Sequence, residues 1–166
     1  MPMDKQSLEQ TLTETQNPTP NYNDGDQAYK ALGELDGITR LVNRFYELMD
    51  SEPHARELRD MHPADLTGAR NKLVAFISGW SGGPALYAER YGGRSLAMTH
   101  KHFIIDNDTT RSWLDCMQQA LADMGYEPAL QEYMNSKFYG PAQSIQMMSE
   151  FEQNRPVMKG SYHDPL

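Results

Sequence analysis

Residues 79–103 read GWSGGPALYAERYGGRSLAMTHKHF, and the reading of this stretch decides the fold. An amphipathic segment ends at Trp80, Gly82-Gly83-Pro84 breaks it, and a tyrosine-bearing short helix is expected from Pro84 to Tyr91. Gly92-Gly93 stops that helix, and another short one is expected over Leu96–His102, just before Phe103. The stretch is all punctuation and short helices, with no alternation of a strand.

Working outward, both flanks are helical. Upstream, Leu35, Ile38, Leu41, Val42, Phe45, Leu48 and Met49 recur at three- and four-residue spacing, with Tyr46 beside the stripe. Pro53 opens a short helix through Leu58, and His62-Pro63 turns a corner because the residue before proline avoids helical geometry. Leu66, Ala69, Leu73, Phe76, Ile77 and Trp80 form the next stripe, with Asp65 or Thr67 to cap it. Downstream, the Asp106–Thr109 cluster offers caps to a helix carrying Trp113, Leu114, Met117, Ala120, Leu121 and Met124, closed by Gly125. Pro128 starts a last helical region carrying Leu130, Tyr133, Met134 and Phe138, then, past an interruption at Gly140-Pro141, Ile145, Met148 and Phe151. An earlier short helix with Ala28, Ala31 and Leu32 ends at Gly33. The expected fold is all-α: residues 1–26 a polar flexible extension, 27–153 one folded domain, and 154–166 a tail.

Composition narrows the class. At 166 residues, 39% hydrophobic and 23% charged, the chain supports one domain with a core. A net charge of −8 argues against nucleic acid or an anionic membrane as a partner. No apolar run approaches the roughly 18 residues of a membrane helix, and MPMDKQSLEQ lacks a signal peptide's basic and apolar regions, so the cytoplasm is the expected compartment. Cys116 is the single cysteine, which excludes a CxxC pair and an internal disulfide; inside a helical pattern it reads as a small buried hydrophobe.

Common enzyme motifs are absent: no HExxH, GxSxG, Walker loop or GxGxxG, and the 23 carboxylates show no standout acid–base pair. Of five histidines, His54 and His163 lie in polar surroundings. His100 and His102, two apart, fall on different faces of a helix, and spacing alone leaves either one open as a ligand. A bend, a tyrosine-bearing helix and this pair suggest a chain curving round something large and flat and presenting an imidazole to it. An iron porphyrin is the leading choice.

GWSGGPALYAERYGG, LAMTHKHF and RSWLDCM, preceded by FYELMDSEPHARELRDMHPADLTGARNKL, resemble the truncated haemoglobins of group II, the two-on-two globins. The similarity runs from about Gly33 to Ala122, in order and spacing. It implies a two-on-two helical sandwich and a haem b. It makes His100, three before Phe103, the proximal iron ligand and leaves His102 a bystander. Tyr46 matches the distal tyrosine, His62 the corner position, Trp113 the indole over the haem, and Ala69 and Leu73 the distal-helix residues facing the ligand. Phe45, Phe76, Leu96 and Phe103 would supply apolar walls, and Tyr87 lies in the matched tyrosine-bearing segment. Dioxygen held in a haem pocket carries partial negative charge, so the Tyr46 hydroxyl, an N–H of His62 and the Trp113 indole are three possible donors to it.

The sequence departs from the family at the propionate side. Thr99 stands where the family has arginine before the proximal histidine, and Gly93-Arg94-Ser95 replaces its His-Pro-Arg turn. Lys72 is the expected substitute anchor, with Arg94 or Lys101 as others. The resemblance implies a globin that reversibly binds dioxygen and other diatomic ligands, as a monomer or weak dimer. Detoxification of reactive nitrogen or oxygen species, with an unidentified reductase, is one role for it. The competing readings are a haem-dependent, peroxidase-like enzyme using His62 as its acid–base group, and a helical interaction module without haem.

Overall fold

The computed structural model describes residues 20–92, 97, 100 and 103–154. Among these residues all regular structure is helical: α1 (Gln27–Leu32), α2 (Glu34–Ser51), a 3₁₀ turn (Pro53–Ala55), α3 (Arg56–Asp60), α4 (Thr67–Trp80), α5 (Leu86–Tyr91), α6 (Asn107–Asp123) and α7 (Pro128–Gln153). The short helix expected over Leu96–His102 and the tail from Asn154 lie largely outside the described residues.

Helix α2 is the spine. Its stripe of Ile38, Leu41, Val42, Phe45, Tyr46, Leu48 and Met49 is buried and packs against both α4 and α6, while α6 packs against α7. The arrangement is two pairs of helices laid on each other, with the core between them. Burying this stripe is what holds a helix whose remaining surface is polar. Leu35, expected on the stripe, is 36% exposed because α2 meets the core only from Gly37 onward.

Side chains fix the ends. The Asp106 carboxylate accepts from the Thr109 N–H (2.9 Å) and hydroxyl (2.8 Å), capping α6 as expected. At α4, Asp65 rather than Thr67 is the acceptor, taking the Thr67 N–H at 3.0 Å and its hydroxyl at 2.7 Å.

Two expectations need correction. Helix α7 runs unbroken through Gly140-Pro141. Proline removes one donor and leaves the Lys137 carbonyl without its helical bond, but the turn is partly exposed and the helix is pinned on both sides of it. Met134 and Phe138 are buried before it; after it, the Ser149 hydroxyl accepts from Ile105 N–H (2.8 Å) and donates to the Phe103 carbonyl (2.6 Å). Phe151, by contrast, is 66% exposed, because α7 outruns the core at that end.

The fold also begins before residue 27. Tyr22 is buried and its ring lies 5.3 Å from that of Tyr133 on α7; the Tyr133 hydroxyl donates to Asn23 at 2.8 Å. The Gly-Gly corner accommodates this strap. A Cβ on Gly82 (φ +97°) would lie 2.0 Å from the Gly25 carbonyl oxygen, and one on Gly83 would lie 2.3 Å from the Tyr29 ring. Sequence alone read these glycines as a turn, but their role is close approach of α1 and its leader.

Candidate functional site

The candidate site is built on α2, α4, α6 and two corners. Tyr46 and Phe45 are neighbours on α2, both buried, with rings 5.0 Å apart and edge-on. Phe45 meets Trp113 of α6 at 5.0 Å, and Trp113 meets Phe138 of α7 at 5.4 Å. On the other side Tyr46 meets His62, ring centres 5.9 Å apart and edge-on. The corner that carries His62 is stapled by Arg59, which donates to the carbonyls of Pro63 (3.0 Å) and Ala64 (3.1 Å) and pairs with Asp50 on α2.

His62 is oriented by a bond of 2.9 Å between Nδ1 and the Leu58 carbonyl. A carbonyl only accepts, so Nδ1 carries the proton and the neutral ring turns a lone pair outward at Nε2. Burial, reinforced by Arg59 and His100, holds this imidazole below the ordinary histidine value, against the opposing pull of the Leu58 bond. His62 at neutral pH is therefore an acceptor at Nε2. The N–H expected of it thus faces Leu58, and an acceptor is what the ring turns outward.

Burial pushes the Tyr46 phenol up to about 12, only partly offset by the nearby Arg70, so it stays a protonated donor. Neither the Tyr46 hydroxyl nor the Trp113 indole N–H has a hydrogen-bond partner among the described residues. The fully enclosed, unpartnered side-chain atoms there are Arg70 Nε and Thr110 Oγ1. The Tyr46 and Trp113 donors thus open onto space instead of packed neighbours.

The α4 face expected to look at a ligand is the half-buried one. Ala69, Leu73, Phe76 and Trp80 stay partly exposed at the core edge, whereas Ala75, Ile77 and Ser78 behind them are fully buried. Phe76 stacks on Trp80 (5.4 Å) and meets Tyr87 of α5 edge-on (6.1 Å). Lys72 Nζ sits 5.7 Å from the Tyr91 ring centre. His100 lies in a turn closed by a 3.1 Å bond from the Phe103 N–H to its carbonyl, with the two rings 6.2 Å apart. That turn is the physical content of the three-residue spacing. His100 is also close enough for its charge to be felt at His62. Leu96, Thr99, Lys101, His102 and Arg94 lie outside the described residues.

Missed from sequence was Lys137. It donates to the Trp80 carbonyl (3.1 Å) and the Tyr133 hydroxyl (3.1 Å), fixing the C-terminal end of α4. Cys116 is buried and burial raises its thiol to about 11, so it packs as an inert group.

These residues fit a haem: an imidazole at His62 beside Tyr46, a second at His100 in the turn before Phe103, unpartnered donors at Tyr46 and Trp113, and aromatic and aliphatic side chains of α2 and α4 around them. Comparison with known proteins agrees. The family described as bacterial-like globin matches residues 27–147. The group 2 truncated hemoglobin YjbI of Bacillus subtilis is 33% identical over 124 residues, covering 75% of this chain and 91% of that protein. Among solved structures, the cold-adapted truncated hemoglobin of the Antarctic marine bacterium Pseudoalteromonas haloplanktis TAC125 is 35% identical at a TM-score of 0.69, covering 71% of this chain and 95% of that one. The group II 2-on-2 hemoglobin of Agrobacterium tumefaciens is 33% identical, also at 0.69, covering 72% and 92%. The truncated oxygen-avid haemoglobin of Bacillus subtilis is 32% identical at 0.66, covering 71% and 97%. With its two-on-two helices, the family match over most of its length and relatives a third identical, this chain belongs to the group II truncated haemoglobins, a family of haem-binding globins.

Proposed function

We propose that this globin holds a haem b through His100 and binds dioxygen, or another diatomic ligand, for slow release. When bound, the haem supplies an iron that takes such a ligand. The chain supplies the rest. Tyr46 and Trp113 donate hydrogen bonds toward the ligand's negative end, Phe45 excludes water beside them, and Ala69 and Leu73 close the distal face. Lys72 remains the proposed propionate anchor within the described residues. The observation that carries the reading is Tyr46: its side chain is buried, and its hydroxyl is kept protonated, is without a partner among the described residues and is not among the enclosed atoms. The oxygen-avid character stated for the Bacillus subtilis relative supports the same behaviour here.

A hydrogen bond to a charged acceptor contributes about 1.5–3 kcal/mol. Tyr46→Phe should therefore speed dioxygen release roughly ten- to a hundredfold, and Trp113→Phe by a similar or smaller factor. Stopped-flow displacement measures both, and unchanged rates in both variants would sink the hydrogen-bond account. The porphyrin Soret band should vanish in His100→Ala and persist in His102→Ala. Slow release suits oxidation chemistry on the held ligand, hence a role in detoxifying reactive nitrogen or oxygen species with an external reductase.

The His62 geometry favours a second reading. A lone pair at Nε2 on an imidazole held neutral can take a proton from a peroxide beside it. Peroxide turnover should then fall in His62→Ala while dioxygen affinity changes less; equal turnover in both proteins would remove this reading.

A further inference from the structure

A second polar site lies on the far side of α4 from the half-buried Ala69–Leu73 face. A recess of about 190 Å³ opens between α2, α4 and α5, and Asn43, Arg70, Asn71 and Arg90 line it together with Thr39, Thr67 and the apolar Val74. It is below the ~300 Å³ at which sites for drug-sized ligands begin. The recess suits a small ion with a few waters.

Its charge is opposite to that of the molecule. The chain carries a net −8, yet among the described residues no carboxylate lines this recess and two guanidiniums do. Two other arginines are held by acids: Arg44 binds Asp123 at 2.8 Å and Glu47 at 3.2 Å, and Arg59 binds Asp50, whereas Arg40, Arg56 and Arg111 make no ion pair among the described residues. Arg70 and Arg90 make no ion pair among the described residues. Arg70 goes further, since its Nε is enclosed and has no acceptor. An enclosed, unpartnered charged donor is costly in a folded chain and calls for an explanation.

The remaining lining groups divide cleanly. The Thr39 hydroxyl donates to the Leu35 carbonyl (2.7 Å) and that of Thr67 to Asp65 (2.7 Å), so neither proton is available. The Asn43 and Asn71 amides have no hydrogen bond among the described residues and stand ready as neutral donors. Asp65 has an oxygen occupied by the Thr67 N–H and hydroxyl, and its charge and that of Arg70 are felt by one another. The recess also borders the first turns of α4, where the helix dipole favours negative charge.

We propose that Arg70, Arg90, Asn43 and Asn71 form a binding site for a small oxyanion of the inorganic phosphate class. The planar guanidinium fork matches such an ion's paired oxygens, and the asparagine amides add donors without charge. Arg70 is also felt at the Tyr46 hydroxyl.

The test is titration of the full-length protein with inorganic phosphate at constant ionic strength, followed by isothermal calorimetry and by ³¹P line broadening, with and without haemin. Saturable binding is expected, at least tenfold weaker in Arg70→Gln and in Arg90→Gln, largely kept in Arg90→Lys, and indifferent to haemin. Arg90 is exposed, so its variant reports on the site even if Arg70→Gln folds poorly. Absence of saturable binding, or equal binding in folded Arg90→Gln, overturns the proposal. Binding abolished by haemin also overturns it, because the arginines would then serve the haem carboxylates. Dioxygen kinetics decide the pocket reading and the phosphate titration decides this one, so either can fail alone.

Discussion

At the scale of single residues, the direction in which His62 faces matters more than its presence. The Leu58 carbonyl takes its one neutral proton, and burial keeps a second one off. In the unfolded chain the imidazole titrates near its ordinary value of 6.5; in the folded protein it does so lower. Between those values the unfolded chain binds more protons, so this group's contribution to stability is intact above pH 6.5 and is lost as pH falls through the folded value. Unfolding in urea at pH 7.5 and pH 5 should show that loss in the wild type and a smaller one in His62→Gln. Identical losses would mean that His62 is not held neutral. Asp65 and Asp106, held below the usual carboxylate range by their bonds to Thr67 and Thr109, add their own losses only in stronger acid.

At the scale of elements, α7 defies local propensity. Proline in a helix interior costs about 3 kcal/mol, yet Pro141 sits within twenty-six helical residues. Packing of Met134 and Phe138 ahead of it and the Ser149 bridge behind it hold the helix through. Pro141→Ala restores the donor to Lys137 and should stabilise the protein by about 1–3 kcal/mol in chemical denaturation. A neutral or destabilising result would show that the proline's own packing outweighs the missing bond. The same element marks the limit of sequence reading. The α2 stripe and the α6 cap were legible because periodicity and capping are local. The continuity of α7 was not, since it depends on Ile105 and Phe103, more than forty positions away. The site divides in the same way. The match to a family picks out Tyr46, His62 and Trp113, but the His62 tautomer is set by a carbonyl whose placement only the folded corner reveals.

At the scale of the molecule, one network ties the leader before α1 to the proposed pocket. Tyr133 donates to Asn23 and receives from Lys137; Lys137 holds the Trp80 carbonyl with its Nζ 5.0 Å from the Trp80 ring centre; and Trp80 stacks on Phe76 of the half-buried α4 face. Helix α1, which the leader precedes, is tied in through the backbone, where the Tyr29 N–H donates to the Ser81 carbonyl at 3.0 Å. A chain read by composition ends its polar extension at residue 26, because one tyrosine among asparagines carries no periodicity. Three dimensions put that tyrosine in the core. Removing a buried aromatic side chain typically costs 3–5 kcal/mol, and Tyr22→Ala, at a side chain in the core but in the segment ahead of α1, should lie near the lower bound, at about 3 kcal/mol. Phe151→Ala on the exposed end of α7 is the matched control and should stay within about 0.5 kcal/mol. Denaturant midpoints of the two variants make the comparison, and equal, small shifts would return Tyr22 to the extension. If the network transmits, Tyr22→Ala should also alter ligand release from the proposed pocket, because loosening Tyr133 frees Lys137 and with it the end of α4 that carries Trp80 and Phe76.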